Sequence, residues 1–172
     1  MPVKAPVSTF RYGGRIKGKT FNIIQANDLL VLRSVSPLDA LRQVLSAKAS
    51  VFFENLTLTF SFPEVKVNVF RVNEPDQLDA CRLAFKEDPN IKFAGRVWKE
   101  ELSGSTLIYT ENLFVKFSVN TSTKAILALL SSYKLSVKEK FSFTSNAYFV
   151  KSEGFTGVTI FDIAKQEGTD VA

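Results

Sequence analysis

The sequence predicts an α+β protein built from two tandem units. Three observations support this class: stretches of alternating apolar residues predict strands, helical spacing of apolar residues predicts amphipathic helices between them, and the order of these elements partly recurs in the second half. With 172 residues, 45% of them apolar, the chain is long enough to bury a substantial core. We therefore expect a folded protein with two sheets.

The first unit is predicted to begin with an irregular arm and a hairpin. Residues 1–9 contain two prolines and lack periodicity, which is typical of an irregular segment. Two β-rich stretches, "TFNII" and "DLLVLRS", flank Gln25–Asn27 and predict a hairpin. "SPLDALRQVLSAKA" then predicts an amphipathic helix with Ser36 as its N-cap and Pro37 at its first position.

The rest of the first unit is predicted to contain two strands, a helix and a closing strand. "LTLTFSF" and "VKVNVFRV" both alternate and are separated by Pro63, so they predict adjacent strands. "EPDQLDACRLAFKED" predicts a helix that begins at Pro75, and "NIKFAGRVW" predicts the last strand. The order strand, helix, two strands, helix, strand is typical of a ferredoxin-like unit, with an antiparallel sheet and two helices on one face.

A second, shorter unit is predicted after a seam at Ser103 and Gly104, which divides the chain into residues 1–103 and 104–172. "LFVKFSV" (113–119) aligns with "LLVLRSV" (29–35) at a spacing of 84 residues. A helix in "NTSTKAILALLSSY", a strand pair around Thr144–Asn146 and a short helix in "GVTIFDIAKQEG" follow. The second ferredoxin-like unit is therefore expected to lack its closing strand. Strand exchange between the two units could supply one, and strand exchange between two chains could do so by forming a homo-oligomer.

Composition argues against most catalytic chemistry. Histidine is absent and Cys81 is the only cysteine, which excludes Ser-His and Cys-His mechanisms and thiol-rich zinc sites within this chain. "GKT" at 18–20 lacks the glycine spacing of a phosphate loop, and the acidic residues show no distinctive pairing. We expect a protein that is not an enzyme and that needs no metal or cofactor.

The sequence as written contains no apolar run near the roughly 18 residues that span a bilayer, and no secretory segment near its start. It is therefore expected to be cytoplasmic and independent of membranes. The net charge of +5 is spread along the chain and would permit an anionic partner.

One stretch of the second unit carries a family resemblance. "ENLFVKFSVNTSTKAILALLSSYKLSVKEKFSFTSNAYFVKSEG", followed by "GVTIFDIAK", contains in order a strand of the "LFVKF" type, a helix that ends before "YKL", and a strand of the "SNAYFVK" type. This order, over residues 111–165, resembles the N-terminal prodomain of subtilisin-like serine proteases. The closing strand of that family resembles "EDPNIKFAGRV" in the first unit.

The resemblance implies a function in partnership with a protease. Such prodomains assist the folding of the attached protease and inhibit it, with the sheet against the enzyme and the following segment extended in the substrate cleft. For this chain it implies an intramolecular-chaperone or inhibitor module for a subtilisin-like protease or catalytic domain. The partner-binding residues that it implies lie on the second sheet and in the tail: Phe141, Phe143, Tyr148, Val150, Gln166, Glu167, Gly168, Thr169, Asp170, Val171 and Ala172.

Two other functions remain open on the same residues. Ferredoxin-like sheets with aromatic and basic residues can stack single-stranded nucleic acid, and Lys138, Lys140 and Tyr148 would be the candidates here. The glycine-bearing aromatic signature of the RNA-recognition family is absent around residues 146–151, which makes nucleic acid the less favoured partner. A regulatory or structural interaction domain is the third interpretation.

Overall fold

The computed structural model describes residues 7–12 and 19–152, with side chains for residues 22–152. Within these residues the elements are, in chain order, β1 (Val7–Tyr12), β2 (Lys19–Ser34), α1 (Leu38–Val44), α2 (Ala47–Phe53), β3 (Leu56–Phe62), β4 (Val67–Val72), α3 (Leu78–Lys86), β5 (Ile91–Glu100), β6 (Thr106–Leu107), β7 (Asn112–Lys116), α4 (Thr123–Ser132), β8 (Leu135–Lys140) and β9 (Ala147–Ser152). Short 3-10 turns precede β4 and α3. None of the described helices is long and apolar enough to cross a membrane.

The fold is α+β and consists of two ferredoxin-like units, as the element order predicts. Of the described residues, 7–9 and 21–110 belong to the first unit, and 10–12, 19–20 and 111–152 belong to the second. The division after residue 110 lies beyond the predicted seam. Gly104, with φ +70°, instead sits in the turn between β5 and β6, and β6 pairs with β5 as part of the first sheet.

The first unit contains five strands in the order β3-β4-β2-β5-β6, and β1 also pairs with β2. Neighbouring strands from β3 to β6 are antiparallel. The closing strand β5 lies beside the opening strand β2, and β4 separates β2 from β3, which is the ferredoxin-like arrangement.

Three local predictions for the first unit are wrong. The hairpin at Gln25–Asn27 is one continuous strand, β2, whose register with β5 shifts between Gln25 and Leu30, because an irregularity in the strand accommodates these residues without reversing the chain. The arm is not irregular throughout, since residues 7–12 form β1. The helix expected from Ser36 onward is two helices, because Ser46 caps α2 by accepting a hydrogen bond from the Ala49 N–H.

Helices α1, α2 and α3 cover one face of the first sheet. Their apolar residues and those of β2, β4 and β5 form one cluster of Leu30, Leu32, Leu41, Ala49, Phe70, Val72, Leu78, Cys81, Phe85, Ile91 and Ala94. The spacing of these residues along the helices is the amphipathic pattern that predicts them.

Cys81 is completely buried in this cluster, and burial raises the pKa of its thiol to about 12. Because the thiolate is the reactive form, Cys81 should react with a thiol reagent at neutral pH only when the first unit unfolds. The labelling rate measured across a urea titration should follow the unfolding transition and reach that of the denatured chain. Labelling of the native protein at the rate of the denatured chain would contradict this burial.

The second unit contains an antiparallel sheet in the order β7-β9-β8, with α4 on one face. The predicted helix and strand pair are confirmed here. Its core contains Phe117, Ile126, Leu130, Leu135, Tyr148 and Val150. The short helix predicted in "GVTIFDIAKQEG" and the position of any closing strand after it lie outside the described residues.

The two sheets share details beyond strand order. β3 has a register shift between Leu58 and Phe60, and β8 has one at the same distance from its start, between Val137 and Glu139. The residues directly before β4 and β9 both have positive φ, 54° at Lys66 and 52° at Asn146. These matches support a structural repeat within the chain.

Strand pairing corrects the predicted alignment of the repeat by one residue. Leu30 pairs with Phe70, and Leu113 pairs with Val150, each on the helix-covered face of its own sheet. Leu30, not Leu29, is therefore the counterpart of Leu113. The shift matters because neighbouring residues of a strand point to opposite faces.

Candidate functional site: an exposed aromatic sheet face

The second sheet has one face against α4 and one face toward solvent. On β7, Leu113 and Val115 pack into the core, so the alternating residues Asn112, Phe114 and Lys116 lie on the outer face. Cross-strand pairing extends this face to β9, where Phe149 lies opposite Phe114 and Lys151 opposite Asn112. The outer face is thus fixed by the register of the sheet.

Four phenylalanines form what we call the aromatic patch on this face: Phe114, Phe141, Phe143 and Phe149. The Phe114 and Phe141 ring centroids are 5.6 Å apart, and those of Phe141 and Phe143 are 5.1 Å apart. Phe114 is 57% exposed and Phe143 is 80% exposed. Contiguous exposed aromatic surface of this kind marks sites of interaction, whereas single exposed apolar residues do not.

Backbone hydrogen bonds position the patch beyond the end of β8. The Phe141 N–H donates to the Ala147 carbonyl at 3.0 Å, which keeps Phe141 beside β9. The following turn ends at Asn146, whose Nδ2 donates to the carbonyls of Ser118 and Thr121 at 2.8 and 3.0 Å. Asn146 tolerates its left-handed conformation better than most residues. The turn that carries Phe143 is therefore anchored at both ends.

Three lysines, which we call the lysine group, accompany the patch. Lys116 and Lys151 are exposed and follow Phe114 and Phe149 by two residues, on the same face. The Lys138 Nζ donates to Asn112 Oδ1 at 2.9 Å and lies 5.3 Å from the centre of the Phe149 ring, a cation-π distance. The face therefore combines aromatic rings with positive charge.

The structure divides the partner-binding residues that the sequence suggested. Phe141 and Phe143 belong to the aromatic patch. Tyr148 and Val150 are core residues, 2% and 0% exposed, because they point toward α4 from the other side of β9. Tyr148 is consequently not available for base stacking in the nucleic-acid alternative either. Residues Gln166, Glu167, Gly168, Thr169, Asp170, Val171 and Ala172 lie outside the described residues.

Sequence reasoning missed Phe114 and Phe149, which complete the patch. Both alternate with core residues along their strands. This alternation predicts that each strand has two faces, but it does not predict which face is exposed. The signal that resolves it is the helix: Ile126 and Leu130 of α4 contact the same side as Tyr148 and Val150.

The equivalent face of the first sheet is covered by its own unit. Val31 and Val69, the counterparts of Phe114 and Phe149, are fully buried in a cluster on which Ile108 and Tyr109 pack. Burial raises the pKa of the Tyr109 phenol, although hydrogen bonds involving Trp98 and Arg96 oppose this shift. Where the second sheet has the exposed rings of Phe114 and Phe149, the first sheet thus has two valines that are covered by Ile108 and Tyr109.

No group of three or more acidic or cysteine side chains that could hold a metal ion occurs among the described residues.

Comparison with known proteins relates the chain to proteases. It is 32% identical over 168 residues to a calcium-dependent protease of Nostoc sp.. It is 31% identical over 168 residues to a calcium-dependent protease of Trichormus variabilis. In both cases the match covers 91% of this chain and 25% of the protease, so the chain spans about a quarter of the length of these curated relatives.

No protein-family model matches the chain, and no solved structure matches it. The relationship rests on the protease sequences, and it extends over both ferredoxin-like units because nearly the whole chain is aligned. This chain is therefore homologous to a segment of cyanobacterial calcium-dependent proteases.

Proposed function

We propose that this chain is a non-catalytic, prodomain-like module that assists the folding of a subtilisin-like protease domain or inhibits it. The observation that carries the proposal is the aromatic patch, an exposed apolar surface on the sheet face whose counterpart in the first unit is buried. A partner that covers the patch would remove this apolar area from water, which is the main driving force of association.

Two further observations support a partner of this class. The curated relatives are proteases, and the matched segment makes up a quarter of each, which leaves room for a separate catalytic domain. The chain also contains no histidine, so it cannot itself supply the usual base of a serine protease. A binding role beside a catalytic domain fits both facts.

The proposal predicts that the chain binds intact subtilisin-type proteases and acts on them. Binding should slow cleavage of a chromogenic peptide or raise the yield of active enzyme when the denatured protease is refolded. The Phe114→Ser/Phe143→Ser variant should bind about 30-fold more weakly, because aromatic residues at the centre of an interface carry most of its energy. A Leu102→Ser/Leu127→Ser variant is the matched control, since both leucines are exposed and lie outside the patch.

Two results would contradict the proposal. The chain could leave both the activity and the refolding of a panel of such proteases unchanged, including the Nostoc protease produced without the matching segment. Alternatively, the patch variant and the leucine control could bind equally well, which would place the interface elsewhere.

Single-stranded nucleic acid is the second candidate, favoured by one observation. Phe114 and Phe149 lie side by side on adjacent strands with lysines on the same face, an arrangement that can stack bases. Fluorescence anisotropy with a labelled single-stranded oligonucleotide tests it directly. Tight binding at moderate salt that the Phe114→Ser/Phe143→Ser variant loses would favour this candidate over the protease partner.

A further inference from the structure

We infer that the surface which covers the aromatic patch is acidic, with an apolar centre surrounded by carboxylates. This inference rests on the proposed function and adds the chemistry of the partner surface. Its basis is the distribution of charge between the two units and the placement of the lysine group.

The two units differ in charge balance. Residues 111–152 contain six lysines and two glutamates, a net charge of +4, whereas residues 22–110 contain ten basic and eleven acidic residues, a net charge of −1. The positive charge of the described chain is therefore concentrated in the unit that carries the patch.

The basic residues of the two units also differ in their partners. In the first unit Arg42, Lys48, Arg71, Arg82 and Arg96 all lie within ion-pair distance of a carboxylate. Among residues 22–152, no lysine of the second unit forms an ion pair. Within residues 22–152 these lysines therefore have no carboxylate partner, and the exposed ammonium groups of Lys116 and Lys151 can approach an external one.

The lysine group is arranged around the rings. Lys116 and Lys151 flank Phe114 and Phe149 on the outer face, and Lys138 crosses above Phe149 to reach Asn112. Glu139, opposite Phe149, is the acidic residue of this face, which leaves a positive balance. A partner that buries the patch would partly desolvate these ammonium groups, and a nearby carboxylate offsets that cost better than a neutral acceptor does.

Complementary charge of this kind acts mainly on the rate of association. The association rate of the full chain with an intact subtilisin-type protease should therefore fall about tenfold between about 0.05 and 0.5 M NaCl. A Lys116→Glu/Lys151→Glu variant should associate about tenfold more slowly than wild type at the lower salt and at nearly the same rate at the higher salt.

A Lys124→Glu/Lys134→Glu variant is the matched control, because it makes the same change in net charge outside the outer face. It should stay within about twofold of wild type, since charges beyond the interface act only through the screened overall field. A cooperative thermal unfolding transition in each variant, measured beside wild type, is the check that both are folded.

The outcomes separate the two proposals. If wild type binds but its rate is independent of salt, or if both charge variants slow equally, the acidic-surface inference is wrong and the proposed function stands. If wild type binds no protease, both fail. Oligonucleotide binding lost only in Lys116→Glu/Lys151→Glu would assign the lysine group to phosphates and overturn the inference.

Discussion

An Asp88→Ala variant should have a free energy of unfolding about 3 kcal/mol lower than wild type, as judged by urea denaturation of the whole chain. Asp88 is 3% exposed and its two carboxylate oxygens each accept a backbone hydrogen bond: Oδ2 from Ser46 N–H at 2.7 Å and Oδ1 from Asn90 N–H at 2.8 Å. Alanine would remove both hydrogen bonds, and a hydrogen bond to a charged group contributes about 1.5–3 kcal/mol. Water can reach the exposed Ser46 and offset part of the loss, so the expected total stays near the cost of one such bond.

The position of Asp88 explains why so large an effect is expected. Ser46 is the N-cap of α2, and Asn90 leads into the closing strand β5. Asn90 in turn donates to the Val44 carbonyl at the end of α1 and accepts from the Val35 N–H after β2. The Asp-Pro-Asn sequence therefore joins two helix ends and two strands of the first unit. Its role in this unit is structural.

The same carboxylate makes stability depend on pH. Burial opposes ionisation of Asp88, but the hydrogen bonds from Ser46 and Asn90 outweigh it and hold its pKa below the ordinary value. A lowered pKa in the folded state means that the contribution is fully present above the unfolded pKa of about 3.9 and is lost as the pH falls toward the folded pKa.

The pH dependence is best measured as a difference between proteins. The pKa of Glu100 is also lowered, by hydrogen bonds from Ser103 and Leu102, so the wild-type curve contains more than one group. Below about pH 4 the stability of wild type should fall more steeply than that of Asp88→Asn, which cannot titrate. Asp76→Ala, a change at an exposed aspartate at the opposite end of α3, is the matched control and should keep the difference from Asp88→Asn. Equal slopes in wild type and Asp88→Asn would contradict the account.

Much of the fold follows from local signals, because strand alternation and helical spacing are properties of neighbouring residues. "LTLTFSF" is strand β3, and most of "VKVNVFRV" and "NIKFAGRVW" lies in β4 and β5. The helix α4 lies within its predicted segment, whereas α3 begins at Leu78 instead of Pro75 because a 3-10 turn precedes it. The errors come from tertiary context. β2 continues through Gln25–Asn27 because β5 pairs with it on both sides of the irregularity, and that pairing joins residues far apart in sequence.

The candidate site was only half predictable for the same reason. The resemblance suggested Phe141 and Phe143, which lie on the outer face. It also suggested Tyr148 and Val150, which alternate along β9 with Phe149, and periodicity alone cannot tell which of these alternating positions faces the core. The distinction depends on which side α4 covers. A second observation identifies the docking face: Ile108 and Tyr109 cover the matching face of the first sheet. This comparison can be made only after the two sheets have been aligned.

Gly95→Ala should lower the free energy of unfolding by about 2–3 kcal/mol, because an added methyl group overpacks the covered face of the first sheet. A Cβ at Gly95 would lie 2.5 Å from Cζ of Phe93 and 3.3 Å from Oη of Tyr109. The Phe93 ring is 1% exposed and packs edge-on against Tyr109, with centroids 5.4 Å apart, so it has little room to move.

Two further variants separate this steric cause from a general cost of replacing glycine. Gly104→Ala meets no atom within 4 Å but must keep a φ of +70°, so it should cost about 1 kcal/mol from the backbone alone. Gly95→Ala combined with Phe93→Leu should cost less than the sum of the two single changes, since the smaller side chain makes space for the methyl group. Additive costs in that cycle would mean that the Phe93 ring does not set the packing of this face.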